Sequence, residues 1–137
     1  MASMKPPTLV RGARRALPLV GCLVLVAGCG CGRENGRTIV YADGTAVDGE
    51  YQSSPVEGPW LHFPGGRRYQ LVHHLGATPT RYEAYLGFEE WPTDSTTGSG
   101  NGSRFHEIND EYLVVENDTC ASFYVRVVAS VPDVTVP

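Results

Sequence analysis

The stretch Thr80-Arg81-Tyr82-Glu83-Ala84-Tyr85-Leu86-Gly87-Phe88 decides the fold class, because its side chains alternate between two characters residue by residue. A β-strand directs successive side chains to opposite faces of a sheet, so this alternation predicts a strand with one buried face. The face predicted to point into the core holds Tyr82, Ala84, Leu86 and Phe88. The opposite face, predicted to be exposed, holds Arg81, Glu83, Tyr85 and Gly87.

The segment 121–129 has the same pattern close to the end of the chain. Its predicted core face holds Ala121, Phe123, Val125, Val127 and Ala129, and its other face holds Ser122, Tyr124, Arg126 and Val128. Asn117-Asp118-Thr119 precedes it and is typical of a hairpin turn between strands 111–116 and 121–129.

Other short apolar segments occur at 38–42, 60–63 and 68–74, and turn residues recur every eight to twelve positions. The segment 94–104 lacks apolar residues and is predicted to be a loop. No segment of the mature chain has a helical repeat. We therefore expect an all-β fold, a single antiparallel β-sandwich of seven or eight strands over residues 38–137. Both an immunoglobulin-like and a jelly-roll-like topology fit this pattern.

The first 28 residues have the pattern of a cleaved secretory signal helix. Residues 1–15 are basic and contain no acidic residue, and residues 16–27 form an apolar run that ends at small residues. Twelve apolar residues extend about 18 Å as a helix, well short of the roughly 30 Å hydrocarbon core of a bilayer. A cleaved signal is therefore favoured over a permanent transmembrane anchor.

The end of this segment, Val26-Ala27-Gly28-Cys29, resembles the lipobox of bacterial lipoproteins. The resemblance covers about the first thirty residues. It implies that residues 1–28 are a lipoprotein signal peptide, that Cys29 carries the lipid, and that the mature chain is held at a membrane. Gly30 after the lipidated cysteine resembles lipoproteins sorted to the outer membrane of Gram-negative cells. Residues 29–37 contain the lipidated Cys29 and read as a short flexible tether.

Four cysteines are present, and the signal and the lipid account for Cys22 and Cys29. An exported protein can form disulfides, so Cys31 and Cys120 are a candidate pair. The alternative is a small buried thiol at Cys120 and a free thiol at Cys31.

Charge excludes one class of partner. From Cys29 to the end, the chain has seven arginines, no lysine and all fifteen acidic residues, which is a net charge of −8. Such a surface repels phosphate backbones, so we expect no nucleic-acid binding.

No motif in the sequence identifies an enzyme or a cofactor site. A metal site formed by His62, His106, one of His73 and His74, and Glu89 or Glu107 is the one catalytic alternative, a small metal-dependent envelope enzyme. The favoured hypothesis is a lipid-anchored binding or structural module of the cell envelope that needs no cofactor. Its predicted partner surface, for an envelope protein or a glycan, comprises Arg81, Tyr85, Tyr124 and Arg126, since Tyr and Arg are frequent at interfaces.

Overall fold

A computed structural model describes Glu34 and residues 37–132. The predicted signal peptide at 1–28, the predicted lipid site Cys29, Cys31, and residues 133–137 lie outside the described residues. Among the described residues no helix is long and apolar enough to cross a membrane. They form ten strands: β1 (Thr38–Tyr41), β2 (Thr45–Val47), β3 (Glu50–Gln52), β4 (Leu61–Phe63), β5 (Arg68–Val72), β6 (Arg81–Gly87), β7 (Thr96–Thr97), β8 (Arg104–Ile108), β9 (Tyr112–Glu116) and β10 (Phe123–Ser130).

The strands form two sheets, which confirms the predicted all-β sandwich. One sheet has four strands in the order β1-β5-β9-β8. The other has six strands in the order β2-β3-β10-β6-β7, with β4 also paired to β10. Every pairing is antiparallel except that of β1 with β5, which is parallel.

The alternation in β6 and β10 builds the centre of the core. In their antiparallel register Val125 lies opposite Leu86 and Val127 opposite Ala84, and all four side chains are buried. Because directly opposed residues share a sheet face, these four make one apolar layer. The facing sheet contributes Leu71, Leu113 and Val115, which are fully buried.

Three residues that the alternation assigned to the core are exposed, and one of them, Ala121, lies two residues before β10 begins. Phe88 lies just beyond the end of β6 and is 81% exposed, and Tyr82 near its start is 44% exposed. Alternation identifies which face a residue is on, but burial also requires that the opposite sheet extend over it.

The sequence patterns missed four short or irregular strands. β2 and β3 flank the Asp48-Gly49 turn, where both residues have positive φ, as a two-residue hairpin requires. β7 lies inside the segment predicted to be a loop, and β8 carries an irregular register between Phe105 and Ile108. Such an irregularity breaks the period of two from which strands are recognised.

The predicted hairpin at 117–119 is wrong, because β9 and β10 belong to different sheets. The chain crosses between the sheets at Asn117, whose side chain is fully buried. Its Nδ2 donates to the carbonyl oxygens of Phe63 and Ala121, both at 2.8 Å. Its Oδ1 accepts from the Thr119 backbone N–H at 3.0 Å and from the Thr119 hydroxyl at 2.6 Å. These bonds satisfy backbone groups that the crossing leaves without a sheet partner.

Replacement of Asn117 should destabilise the fold strongly. We expect Asn117→Ala to lower the free energy of unfolding by about 3 kcal/mol, since a buried polar group left without a partner costs about 1–3 kcal/mol. Asn101→Ala is the control, because Asn101 is exposed and its side chain bonds Arg104. Urea unfolding of both variants measures the difference, and equal losses would contradict the role assigned to Asn117.

Candidate functional site

The predicted partner surface lies on the outer face of the six-stranded sheet. Tyr85 is directly opposite Arg126, and Tyr124 is directly opposite Gly87. Opposed residues share a face, so Tyr85, Tyr124 and Arg126 point away from the core. Tyr85 and Tyr124 are both half-buried. Arg81 lies on the same face at the far end of β6, is exposed, and pairs with Ser130.

Arg126 does not offer a free guanidinium on this face, contrary to the sequence prediction. It is 8% exposed. Its Nε donates to the Ser54 carbonyl oxygen at 3.1 Å and its Nη2 to Gln52 Oε1 at 2.8 Å. Its Cζ also lies 5.5 Å from the centre of the Tyr85 ring. The segment after β3 folds over the outer face and uses Arg126 as an internal anchor, which no local pattern could have shown.

The aromatic part of the surface remains accessible. The rings of His62 and Tyr124 lie 5.3 Å apart, and His62 Nε2 lies 3.1 Å from Ser122 Oγ. Tyr85 donates its hydroxyl to Glu83 Oε2 at 2.7 Å, and this bond raises the pKa of Tyr85. A hydroxyl engaged in this way stays protonated. The outer face therefore presents aromatic rings with polar edges, a chemistry suited to sugars or protein side chains.

The candidate metal ligands are not brought together. His62 is on the outer face of the six-stranded sheet, whereas His106 is on β8 of the other sheet. His73 is fully buried, with Nε2 at 3.0 Å from the Asn109 carbonyl oxygen. Within the described part of the chain, no three His, Cys, Asp or Glu residues group so as to hold a metal ion.

His106 instead belongs to a charged cluster on the four-stranded sheet. Its Nε2 lies 2.5 Å from Glu116 Oε2, and Arg68 Nη2 donates to the same oxygen at 2.9 Å. Burial raises the pKa of Glu116, but the Arg68 and His106 contacts outweigh it and leave that pKa below its usual value. The cluster ties β5, β8 and β9 together across the sheet surface.

A second site is the end of the sandwich where the chain enters the domain, which we call the tether end. Glu34, assigned by sequence to the flexible tether, is held there. Its backbone N–H donates to the Gly65 carbonyl oxygen at 2.8 Å. Arg67 donates from Nε and Nη2 to the two Glu34 carboxylate oxygens, both at 2.5 Å, and this fork lowers the pKa of Glu34. The end of the tether is therefore clamped to the fold.

Cys120 lies beside this clamp and is disulfide-bonded. A Cβ built on Gly65 would stand 3.1 Å from the Cys120 Cα, so the Glu34–Gly65 contact and Cys120 adjoin. The other three cysteines of the chain lie outside the described residues, so the pairing of Cys120 with Cys31 stays a prediction.

Sequence reasoning missed the exposed aromatic rings beside this end. Phe88 packs against Phe123 with ring centres 5.8 Å apart, and Trp91 is 58% exposed. The alternation had assigned Phe88 to the core face, and no sequence pattern showed where the Trp91 ring points.

Comparison of the chain with protein-family models, with curated proteins and with solved structures found no match. Function must therefore be argued from the residues themselves.

The two arginines of this sheet face should respond differently to removal of their charge. We expect Arg126→Met to lower the free energy of unfolding by about 2–3 kcal/mol, because hydrogen bonds to charged groups contribute about 1.5–3 kcal/mol and Ser54 and Gln52 lose their donor. Arg81→Met should change it by less than about 0.5 kcal/mol, as is usual at exposed positions. Chemical denaturation measures the free energy of unfolding of both variants. An Arg126→Met variant as stable as wild type would show that the buried hydrogen bonds of Arg126 do not hold the segment after β3 in place.

Proposed function

We propose that this protein is a lipid-anchored binding module of the cell envelope. The observation that carries the proposal is the lipobox-like Val26-Ala27-Gly28-Cys29 together with Glu34, the fifth residue after Cys29, which is clamped to the domain. The lipid on Cys29 would attach the domain to a membrane, and the outer membrane is the favoured location if the cell is Gram-negative. No cofactor is part of the proposal.

The geometry of the tether end favours Cys31 as the partner of Cys120. Cys31 precedes Glu34 by three residues, which span at most about 10 Å. Glu34 adjoins Gly65, and Gly65 adjoins Cys120. A disulfide requires Cα atoms about 5.5–6 Å apart, so this reach suffices. Cys29 is then left free for the lipid, in agreement with the motif.

The binding surface in this proposal is the aromatic outer face, with Tyr85, Tyr124 and His62 as its contacts. Burial of Arg126 removes one of the two cations that would have selected acidic partners, and Arg81 lies at the far end of the strand. Ring stacking and hydroxyl hydrogen bonds remain, which suit an envelope glycan or an aromatic protein surface.

Acylation should depend on Cys29 and not on Cys31. In cells fed with radiolabelled palmitate, wild-type protein and Cys31→Ala should incorporate label and fractionate with membranes. Cys29→Ala should incorporate none and should keep its signal peptide, because the peptidase acts on the lipidated cysteine.

Thiol labelling of the same samples under denaturing, non-reducing conditions tests the disulfide. Cys31→Ala should expose one new thiol, that of Cys120. Palmitate incorporated by Cys29→Ala would refute the lipid assignment, and an unreactive Cys120 in Cys31→Ala would refute the pairing.

The double variant Tyr85→Ala with Tyr124→Ala tests the binding surface. Acylated wild-type protein, captured from detergent-solubilised envelopes, should retain a protein or glycan that the double variant loses at least tenfold. The control is Tyr82→Ala, since Tyr82 is also exposed but lies opposite Ala129 on the inner-facing side of the same strand. Loss of capture by Tyr82→Ala alone, or retention by the double variant at an unchanged melting temperature, would overturn this assignment.

A further inference from the structure

We infer that the tether end of the sandwich rests on the membrane surface and that Phe88 inserts into the lipid there. The inference rests on the proposed lipid anchor at Cys29. It goes further by naming which end of the domain meets the bilayer and which side chain contacts it.

The tether is too short to let the domain turn away. Glu34 is the fifth residue after Cys29, and a fully extended chain spans about 3.5 Å per residue, or about 18 Å in all. Glu34 is fixed to the domain by Arg67 and by the Gly65 carbonyl oxygen. The end of the sandwich that carries Glu34 therefore stays close to the lipid, whether or not Cys31 forms a disulfide.

Phe88 belongs to this same end. Glu34 contacts Gly65, which follows β4 by two residues. The last residue of β4, Phe63, pairs with Phe123, the first residue of β10. The Phe123 ring in turn contacts the Phe88 ring. A continuous set of contacts thus leads from the clamped tether to Phe88.

The chemistry of Phe88 fits a lipid contact. It is the most exposed of the large apolar side chains in the described residues, at 81%, and it projects past the end of the core. An aromatic ring at the boundary of headgroups and acyl chains removes apolar surface from water, as side chains of interfacial proteins do. Trp91, on the loop that follows β6, adds a second exposed ring to this part of the molecule.

The distribution of charge along the sandwich also favours an orientation with the tether end at the membrane. Of the six arginines in the described residues, four lie at or near the tether end: Arg37, Arg67, Arg68 and Arg104. They accompany six acidic residues, which gives this end a formal charge of −2: Glu34, Glu89, Glu90, Asp94, Glu116 and Asp118. The far end has Arg81 alone against Asp43, Asp48, Glu50, Asp110 and Glu111. The far end is thus the more acidic of the two, and an anionic membrane surface repels it more strongly than it repels the tether end.

Tryptophan quenching by brominated lipid tests the inference. Acylated protein carrying Trp91→Phe with either Phe88→Trp or Val47→Trp is reconstituted into vesicles of phosphatidylcholine brominated near the top of its acyl chains. Val47 is the matched control, because it is 61% exposed and lies at the far end, opposite Glu50. Trp60, 5% exposed, contributes the same background to both variants.

We expect F88W to lose a several-fold larger fraction of its emission than V47W, relative to vesicles of the non-brominated lipid. Equal quenching of the two variants, or no quenching of F88W, would overturn the inference. Mass spectrometry before reconstitution separates the two proposals, since a sample without acyl chains contradicts the lipid anchor and not the orientation. Unchanged melting temperatures show that both variants are folded.

Discussion

The buried amide of Asn117 is the interaction on which the architecture depends. β9 ends in one sheet and β10 begins in the other, so the chain must cross between sheets where neither ladder supplies partners. Asn117 replaces them by donating to Phe63 and Ala121 and by accepting twice from Thr119. It thereby fixes the Phe63–Gly65 corner against the Thr119–Ala121 turn. Cys120 and the docking position of Glu34 lie at that corner, so the attachment point of the tether is a consequence of how the sheets are joined.

Local sequence patterns predicted the positions of strands and the direction of their side chains. The period of two in β6 and β10 identified both strands and the inward positions of Ala84, Leu86, Val125 and Val127, because side-chain direction follows from the backbone alone. The hairpin predicted at 117–119 failed for the complementary reason. A turn signal shows that the chain reverses or bends, but it carries no information on which sheet receives the next strand. That choice depends on Phe63, a residue more than fifty positions earlier.

In the candidate site, too, the pattern of a single strand predicted which face a residue lies on, but not which residues from distant segments contact it. Tyr85 and Tyr124 share a face, as the alternation requires. The burial of Arg126 depends instead on its hydrogen bonds to Gln52 and Ser54, which sheet pairing and the segment after β3 bring to it. Phe88 had the correct parity for the core and is nevertheless 81% exposed, one residue beyond the end of β6. Parity is a property of one strand, whereas burial is a property of two sheets.

An isolated Phe88 would bind a bilayer only weakly, and the anchor changes what a weak contact can do. Full burial of such a ring contributes about 1.5–3 kcal/mol, too little to hold a free domain at a membrane. Acyl chains on Cys29 would supply the lasting attachment, and the ring would then meet lipid as an intramolecular event at high effective concentration. Under that condition a small free energy is enough to select one orientation over others. With the tether end down, the strongly acidic far end points away from the membrane, and the aromatic outer face stands along the side of the domain, where an envelope partner can reach Tyr85 and Tyr124.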